Sequence, residues 1–272
     1  MQAVNSFATQ ILERIKEARK SQPAGSKYLM NGYHPSTQAV DYACPKCRDQ
    51  NGYIVDDFWH ICECVEQKRL QKIMKSSQIT SEFQKLTFAN FSLDKRPSAV
   101  QTAFTQANYY VEHFEELRGN RQNSMGFHGE PGSGKTHVLM AVANTLLQRG
   151  VSVLYFPYAE GADEIHQASR KDDDAYSRRI EAMKYVDLLF IDDLFKGTEP
   201  SKFQIKWLFA VVNFRYLNHL PILLSSEKSP DDIMNIDLGL GSRLYEMTKT
   251  YLTLLKLQKG EEHLILNYRL MP

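Results

Sequence analysis

Apolar and polar residues follow a helical period in the first part of the chain. In residues 3–20 the apolar positions recur every three or four residues opposite a charged face, which predicts an amphipathic helix. Proline and glycine interrupt this period in residues 21–26, which predicts a linker. Two more helices are predicted, a charged one at 66–75 and one with a single apolar face at 98–117.

From residue 122 onward, short apolar runs alternate with helical segments. One helix is predicted after Gly134, with Gly150 in the left-handed position at its end, and another at 203–216. Apolar runs without polar interruption are typical of strands buried on both faces. The predicted strands are 124–128, 151–156, 186–191 and 222–226, with 251–255 and 264–266 as further candidates. This alternation predicts an α/β fold in which helices cover a parallel sheet, and the main domain boundary is expected near residue 76.

Length and composition allow one sizeable domain and a smaller module, since the chain has 272 residues of which 43% are hydrophobic. Lys+Arg residues number 33 against 32 Asp+Glu, and a net charge of +1 gives no global indication of a nucleic-acid or membrane partner. No segment approaches the roughly 20 apolar residues that a membrane-spanning helix requires, and the first residues lack the pattern of a secretory signal. We therefore expect a cytoplasmic protein with no membrane partner.

The sequence GEPGSGKT at 129–136 matches the phosphate-binding loop G-x-x-x-x-G-K-[ST], between a predicted strand and a predicted helix. Its glycines let several N–H groups point at an anion, Lys135 places a charge on the β- and γ-phosphates, and the Thr136 hydroxyl is a magnesium ligand. A chance glycine turn is the alternative, and the strand–loop–helix setting argues against it. The predicted ATP-binding residues are Gly129, Pro131, Gly132, Ser133, Gly134, Lys135, Thr136 and His137, of which Lys135 is also predicted to be catalytic.

Two carboxylates end the apolar run LLFIDD at 188–193. Asp192 is predicted to hold Mg²⁺ together with Thr136, as the acidic residue of a Walker B strand does. Asp193 is predicted to be catalytic, because it could orient or deprotonate the attacking water. Paired aspartates after a strand could instead cap the next helix, but their position downstream of a phosphate loop favours the functional interpretation.

The four cysteines of the chain all lie within 21 residues. Cys44 and Cys47 form one close pair, and 14 residues separate them from Cys62 and Cys64. Zn²⁺ prefers four soft ligands in a tetrahedron, so this spacing predicts a closed structural zinc site that folds a small module. The second pair is tighter than usual, and nearby His60 could replace one cysteine. A redox pair and buried thiols are the alternatives.

The motifs GEPGSGKT, LLFIDD, PILLSS and GSRLYEM together resemble the AAA+ ATPases of the DnaC/DnaI helicase-loader group, and IstB-type transposition helpers are close relatives. The resemblance covers residues 83–272. It implies an AAA+ ATPase domain at 76–272, ATP hydrolysis with Mg²⁺, and ATP-dependent assembly into a homo-oligomer. It further implies a hexameric DnaB-type replicative helicase and single-stranded DNA as partners. Residues 1–75, with the predicted helix and zinc module, would then be the helicase-docking end, and the compact form resembles the phage or mobile-element type.

The resemblance also carries roles to individual residues. Ser226, or its neighbour Ser225, ends the strand that holds the polar sensor near the γ-phosphate, and is assigned as catalytic. Many AAA+ proteins have Asn at the next position, where this sequence has Glu227. Arg243 matches the arginine finger, which completes the ATP site of a neighbouring subunit. The alternative for Arg243 is a surface helix residue in an ordinary ion pair.

Phe88 and Phe91 match the aromatic segment that leads into the AAA+ domain. Arg215 resembles a recurrent arginine whose role is open. Arg269, in the terminal sequence NYRL, is a weaker candidate for a second sensor.

Three functions fit these observations. The first is an ATP-dependent helicase loader in DNA replication initiation. The second is an IstB-like ATPase helper of DNA transposition, which filament formation on duplex DNA without helicase contact would favour. The third is an ATP-switched adaptor with vestigial hydrolysis, which predicts nucleotide binding with negligible turnover. Glu227 at the sensor position keeps the third interpretation open.

Overall fold

The computed structural model describes residues 42–55, 58–197 and 199–270. The predicted helix at 3–20 and the predicted linker at 21–26 lie outside the described residues. Cys44–Pro272 form one compact unit. The expected division into residues 1–75 and 76–272 stays a prediction.

Two sheets are present in the described part of the chain. An antiparallel two-stranded sheet pairs β1 with β2, and a five-stranded parallel sheet has the order β4-β5-β6-β3-β7. The strands are β1 (Gly52–Val55), β2 (Phe58–Ile61), β3 (Met125–Gly129), β4 (Val153–Pro157), β5 (Leu188–Asp192), β6 (Ile222–Ser226) and β7 (Tyr251–Leu255).

Helices connect the parallel strands and cover both faces of the large sheet. They are α1 (Cys64–Ser76), α2 (Ser81–Gln84), α3 (Ser98–Glu112), α4 (Phe114–Leu117), α5 (Lys135–Gln148), α6 (Tyr158–Lys171), α7 (Asp173–Tyr185), α8 (Lys202–Leu217), α9 (Pro230–Ile236) and α10 (Leu238–Thr248), with short 3₁₀ turns at Phe88–Asn90 and Tyr268–Leu270.

Strand β5 shows why the sheet lies at the centre of the core. Leu188 and Phe190 belong to one hydrophobic cluster, whereas Leu189 and Ile191 belong to the cluster on the opposite face. Successive side chains of a strand point to opposite faces, so a strand covered on both sides must be apolar throughout. The predicted α/β fold with a helix-covered parallel sheet is therefore confirmed.

The helices and strands that the sequence predicts agree with the structure in most places and differ in two, and the structure contains further helices that were not predicted. Residues 264–266 form no strand: Leu264 donates its amide to Glu261 and Ile265 to Lys95, so no ladder develops. The single helix predicted at 98–117 is two helices, because His113 leaves the helical conformation at φ −106° and ψ 15°. Among the described residues, no helix combines the length and the hydropathy that a bilayer span requires.

The cysteine-containing segment packs on the five-stranded sheet through α1. This helix contacts α5 and β4. Directly after α1, the Ser77 carbonyl accepts a 2.8 Å hydrogen bond from the Tyr155 amide of strand β4. The unpaired edge of β4 is thus partly covered by backbone from the segment that follows the cysteines.

Candidate functional site: a phosphate loop, an acidic strand end and a cysteine cluster

The phosphate loop joins β3 to the N-terminus of α5. Gly132 and Gly134 have φ of +76° and +99°, a region in which only glycine is free of strain. Helix α5 begins at Lys135, so its first amides and its dipole point toward the loop. The Lys135 ammonium donates to the carbonyl oxygens of Gly129 at 2.8 Å and Glu130 at 2.9 Å, and burial lowers its pKa. Such a loop presents amides and a cation to an anion.

Two segments distant in sequence enclose the loop. A methyl group added at Gly134 would lie 2.9 Å from the Phe91 ring, and one added at Gly132 would collide with the Asn267 side chain. The Tyr268 amide donates to the Gly132 carbonyl at 2.9 Å. The glycines therefore permit close approach as well as the loop conformation.

Asp192 lies at the end of β5 and receives three hydroxyl groups. Thr136 Oγ1 donates to Asp192 Oδ1 at 2.9 Å, Ser225 Oγ donates to the same oxygen at 2.5 Å, and Tyr155 OH donates to Oδ2 at 3.0 Å. Burial raises the pKa of Asp192, while these hydrogen bonds act in the opposite direction. A buried carboxylate beside a threonine hydroxyl is an oxygen donor set that suits Mg²⁺.

Asp193 adopts a left-handed conformation with φ +54°, and its amide donates to Ser225 Oγ at 2.7 Å. Its carboxylate forms a 2.6 Å ion pair with Lys196. Ser226 does not join this group, since its hydroxyl donates to the Leu194 carbonyl and accepts from the Lys228 amide. Of the two serines considered for the sensor, the structure brings Ser225 to the carboxylates.

These side chains border a cavity of about 530 Å³, a size typical of small-molecule sites. A second, smaller recess lies over the phosphate loop and shares several of its lining residues. The residues that line both are Thr136, His137, Asp193, Lys196, Tyr268 and Arg269. Of the predicted nucleotide-binding residues, Pro131, Gly132, Gly134 and Lys135 line the smaller recess, whereas Ser133 is buried and donates to the Glu130 carbonyl.

His137 forms part of the wall beside the loop. Its Nε2 lies 3.1 Å from the Thr87 carbonyl and 3.0 Å from Asn90 Oδ1, and its ring contacts Phe91 edge-on. It therefore connects the segment that contains Phe88 and Phe91 to the first turn of α5.

Sequence reasoning did not assign Tyr155, Arg96 or Tyr268 to this region. Arg96 is 1% exposed and donates to the Ser133 carbonyl, beneath the loop. Tyr155 reaches Asp192 because β4 pairs with β5. The pairing order of the strands could have indicated Tyr155, but no local signal marks Arg96.

Arg243 lies on α10, away from these cavities. Its Nε donates to Asn213 Oδ1 at 2.9 Å and its Nη1 to the Gly239 carbonyl at 2.8 Å. The guanidinium packs 5.0 Å from the Phe209 ring centre and 5.5 Å from that of Tyr216. It lines neither the 530 Å³ cavity nor the smaller recess over the phosphate loop.

Arg215, whose role the sequence leaves open, is fully buried in α8. Its guanidinium donates to the carbonyl oxygens of Met183, Lys184, Val186, Asp187 and Pro221. It thus joins the end of α7 to the start of β6, a structural role.

The four cysteines converge. Their Sγ atoms all lie within 4.8 Å of one another, with Cys44–Cys62 at 3.8 Å and Cys47–Cys64 at 3.4 Å. Zn–S bonds of about 2.3 Å in a tetrahedron place sulfurs about 3.8 Å apart, so the cluster could hold zinc. A hydrogen bond from the Cys47 backbone lowers the pKa of Cys44 to about 7, which favours the thiolate.

His60 lies outside this cluster. It stacks on Tyr53 with ring centres 6.1 Å apart, on the exposed hairpin β1–β2. The structure therefore brings together the four-cysteine set rather than the alternative with histidine.

A five-stranded parallel sheet, a phosphate loop after β3 and an acidic end on β5 define the class of AAA+ P-loop proteins. Residues 83–249 match the family profile described as the bacterial DnaA ATPase domain. The chain therefore belongs to this family.

Relatives and solved structures agree with this assignment. The chain is 36% identical to the phage-like element PBSX protein XkdC of Bacillus subtilis (strain 168), over 91% of this chain and 92% of that protein. It is 29% identical to the replicative helicase loader DnaC of Escherichia coli (strain K12), over 66% of this chain and 65% of that protein. A structure of the replication initiator DnaA bound to AMPPCP and single-stranded DNA shares the fold, with a TM-score of 0.53 and 23% identity over 66% of this chain and 52% of that one.

Proposed function

We propose that this protein is an ATP-dependent helicase loader, which binds ATP and Mg²⁺ and delivers a hexameric DnaB-type replicative helicase to single-stranded DNA in the cytoplasm. Homology to helicase loaders supports a role in replication. The observation that carries the proposal is the assembly of Thr136, Asp192 and Asp193 beside the phosphate loop.

The chemistry follows from the placement of these groups. The loop amides and Lys135 would hold the phosphates, and Thr136 with Asp192 would hold Mg²⁺. The ion, when bound, supplies positive charge to the phosphate oxygens. Asp193 would orient the attacking water, because its carboxylate faces the recess over the loop.

Arg243 is proposed to act on the nucleotide of a neighbouring subunit. In the described part of the chain, Arg243 lines neither the cavity nor the recess beside the phosphate loop, and a finger that acts in trans must be available to another copy. Hydrolysis would then require an ATP-dependent homo-oligomer.

The cysteine module is proposed to hold one structural Zn²⁺ and to dock on the helicase. Large apolar side chains are exposed on its hairpin, where Phe58 is 72% and Ile61 74% exposed. Exposed apolar groups of this size commonly mark protein contact sites. Ile54 and Trp59 extend the surface on the same hairpin.

The decisive experiment tests loading and ATP use together. Purified protein is mixed with the replicative helicase of its host and a single-stranded DNA circle, and helicase retained on DNA is measured with ATP, without nucleotide, and with the Lys135→Ala variant. We expect the helicase to be retained on DNA only when ATP and the wild-type chain are both present. Absence of helicase binding would refute the loader function, and filaments on duplex DNA under the same conditions would indicate the transposition helper instead.

A further inference from the structure

Lys196 joins two carboxylates that follow neighbouring strands. Its Nζ lies 2.6 Å from Asp193 Oδ2 and 3.5 Å from Glu227 Oε1. Asp193 follows β5 and Glu227 follows β6, and these strands pair in the sheet. The ammonium group therefore lies at the carboxyl edge of the parallel sheet, where ligands of such sheets bind.

The turn that carries Lys196 is held by its own buried residues. Asp193 and Phe195 both have left-handed φ, at +54° and +57°, a conformation that needs support from its surroundings in residues other than glycine. Leu194 is buried and donates its amide to the Ser225 carbonyl at 2.9 Å. Phe195 is buried edge-on against Tyr158. This packing turns the chain back, so that the Lys196 ammonium reaches the Asp193 carboxylate.

Lys196 also borders the recess over the phosphate loop, together with Lys135. The two lysines differ in their partners. The Lys135 ammonium is bound by carbonyl oxygens of the loop itself, whereas Lys196 is bound by carboxylates and its side chain is 46% exposed. Lys196 can therefore exchange one anionic partner for another without unfolding the turn.

Glu227 borders the same recess but cannot bind a phosphate directly. An ionised carboxylate is an acceptor only, and it repels phosphate oxygens. Through its contact with Lys196, however, Glu227 holds a hydrogen-bond donor beside the recess. The lysine can contact a phosphate there, which Glu227 itself cannot do.

We propose that Lys196 binds the γ-phosphate of ATP, with Glu227 and Asp193 as the positioning groups that hold it in the absence of nucleotide. This inference rests on the proposed ATP site. ADP has no γ-phosphate, so with ADP the ammonium stays paired with the carboxylates. Lys196 is thus a residue that distinguishes ATP from ADP.

Binding measurements with matched variants test this role. Isothermal titration with Mg²⁺ and either a non-hydrolysable ATP analogue or ADP is carried out on wild type, Lys196→Ala, Lys196→Arg and Lys202→Ala. Lys202 is an exposed lysine at the start of α8 that lines neither recess, and serves as the control. We expect Lys196→Ala to weaken binding of the ATP analogue about tenfold, because one charge-assisted contact is lost, and to leave the affinity for ADP unchanged. Lys196→Arg retains a preference for the ATP analogue, and Lys202→Ala resembles wild type.

A second variant separates phosphate binding from turn stability. In the Lys196→Ala background, Glu227→Asn replaces an acceptor by a side chain with amide donors, and we expect it to restore part of the preference for ATP. Thermal melting without nucleotide checks that the variants fold. If Lys196→Ala weakens the binding of both nucleotides equally, or of neither, the proposed role of Lys196 is refuted while the ATP site stands. A wild-type chain that binds neither nucleotide would overturn the ATP site and this inference with it.

Discussion

Thr136 and Asp192 are 56 residues apart in the sequence, yet Thr136 Oγ1 donates to Asp192 Oδ1 at 2.9 Å. The first belongs to the helix after the phosphate loop, and the second ends strand β5. The contact shows that the oxygens proposed to bind Mg²⁺ already lie side by side. Ion binding would therefore require little rearrangement of the protein.

Substitution of these two residues should separate metal binding from folding. Thr136→Ser keeps the hydroxyl and should keep Mg²⁺-dependent ATP hydrolysis, whereas Thr136→Val and Asp192→Asn should reduce kcat about a hundredfold. Burial raises the pKa of Asp192, so its charged form costs folding free energy at neutral pH. Asp192→Asn resembles the neutral form, and its melting temperature without nucleotide should equal or exceed that of wild type. A loss of activity accompanied by unfolding would contradict this assignment.

Arg243 should contribute to hydrolysis but not to nucleotide affinity. Arg243→Ala should lower the ATPase rate about a thousandfold, as removal of an arginine finger does, while ATP still binds. The decisive measurement is an equimolar mixture with Lys135→Ala, because each variant supplies the group that the other lacks. Recovery of activity in the mixture is expected. If the mixture stays inactive although the subunits assemble, Arg243 acts only through its contacts with Asn213 and Phe209.

The cysteine cluster should bind one zinc ion per chain. Cys47→Ser removes a buried ligand and should release the metal and unfold the hairpin, since small modules depend on their ion. His60→Ala should retain full zinc content, because His60 lies on the hairpin surface outside the cluster. Metal analysis of the purified variants gives the answer. Loss of zinc in His60→Ala would instead indicate that His60 is a zinc ligand.

The exposed hairpin should govern helicase binding. Trp59→Ser combined with Ile61→Ser should weaken capture of the helicase while zinc content stays unchanged, because these side chains project from the hairpin rather than into the cluster. Leu217→Ser provides a control, since Leu217 is 63% exposed at the end of α8. Equal capture by the hairpin variant and by Leu217→Ser would show that another surface docks.

Arg215 should be important for stability. Arg215→Met leaves several buried carbonyl oxygens without donors and should lower the free energy of unfolding by about 3 kcal/mol or more. Arg178→Met is the matched control, because Arg178 is 69% exposed and should change the free energy by about 0.5 kcal/mol at most. Urea denaturation without nucleotide measures both. Similar changes in the free energy of unfolding for the two variants would mean that water satisfies the carbonyl oxygens that Arg215 contacts in the wild type.

The buried strands were predictable because a central parallel strand has no polar face to interrupt its apolar run. Helix α6 and the extent of helix α7 were not predicted. The buried face of α6 includes Gly161 and Ala162, whose small side chains give a weak hydrophobic period. In α7 only Ile180 and Met183 are buried, so the pattern is mostly polar.

The candidate site was predictable where a local motif marks its residues, as in the phosphate loop and the two aspartates. The choice between Ser225 and Ser226 could not be predicted, because every residue of β6 is buried and no alternation of apolar and polar residues shows which face each serine occupies. The contact from Tyr268 to Gly132 depends on the path of the chain after β7, which leaves no periodic signal.

The position of β3 within the sheet has a consequence for synthesis. Met125 pairs with Leu223 on one side and Tyr251 on the other, so both neighbours of β3 are translated long after it. Contacts between distant parts of a chain form slowly and at an entropic cost. A nascent chain that has just emerged past Thr136 contains β3 and every residue of the phosphate loop, but neither of the two strands that pair with β3. The proposed nucleotide pocket can therefore form only after Leu255 has been translated, well after the phosphate loop itself.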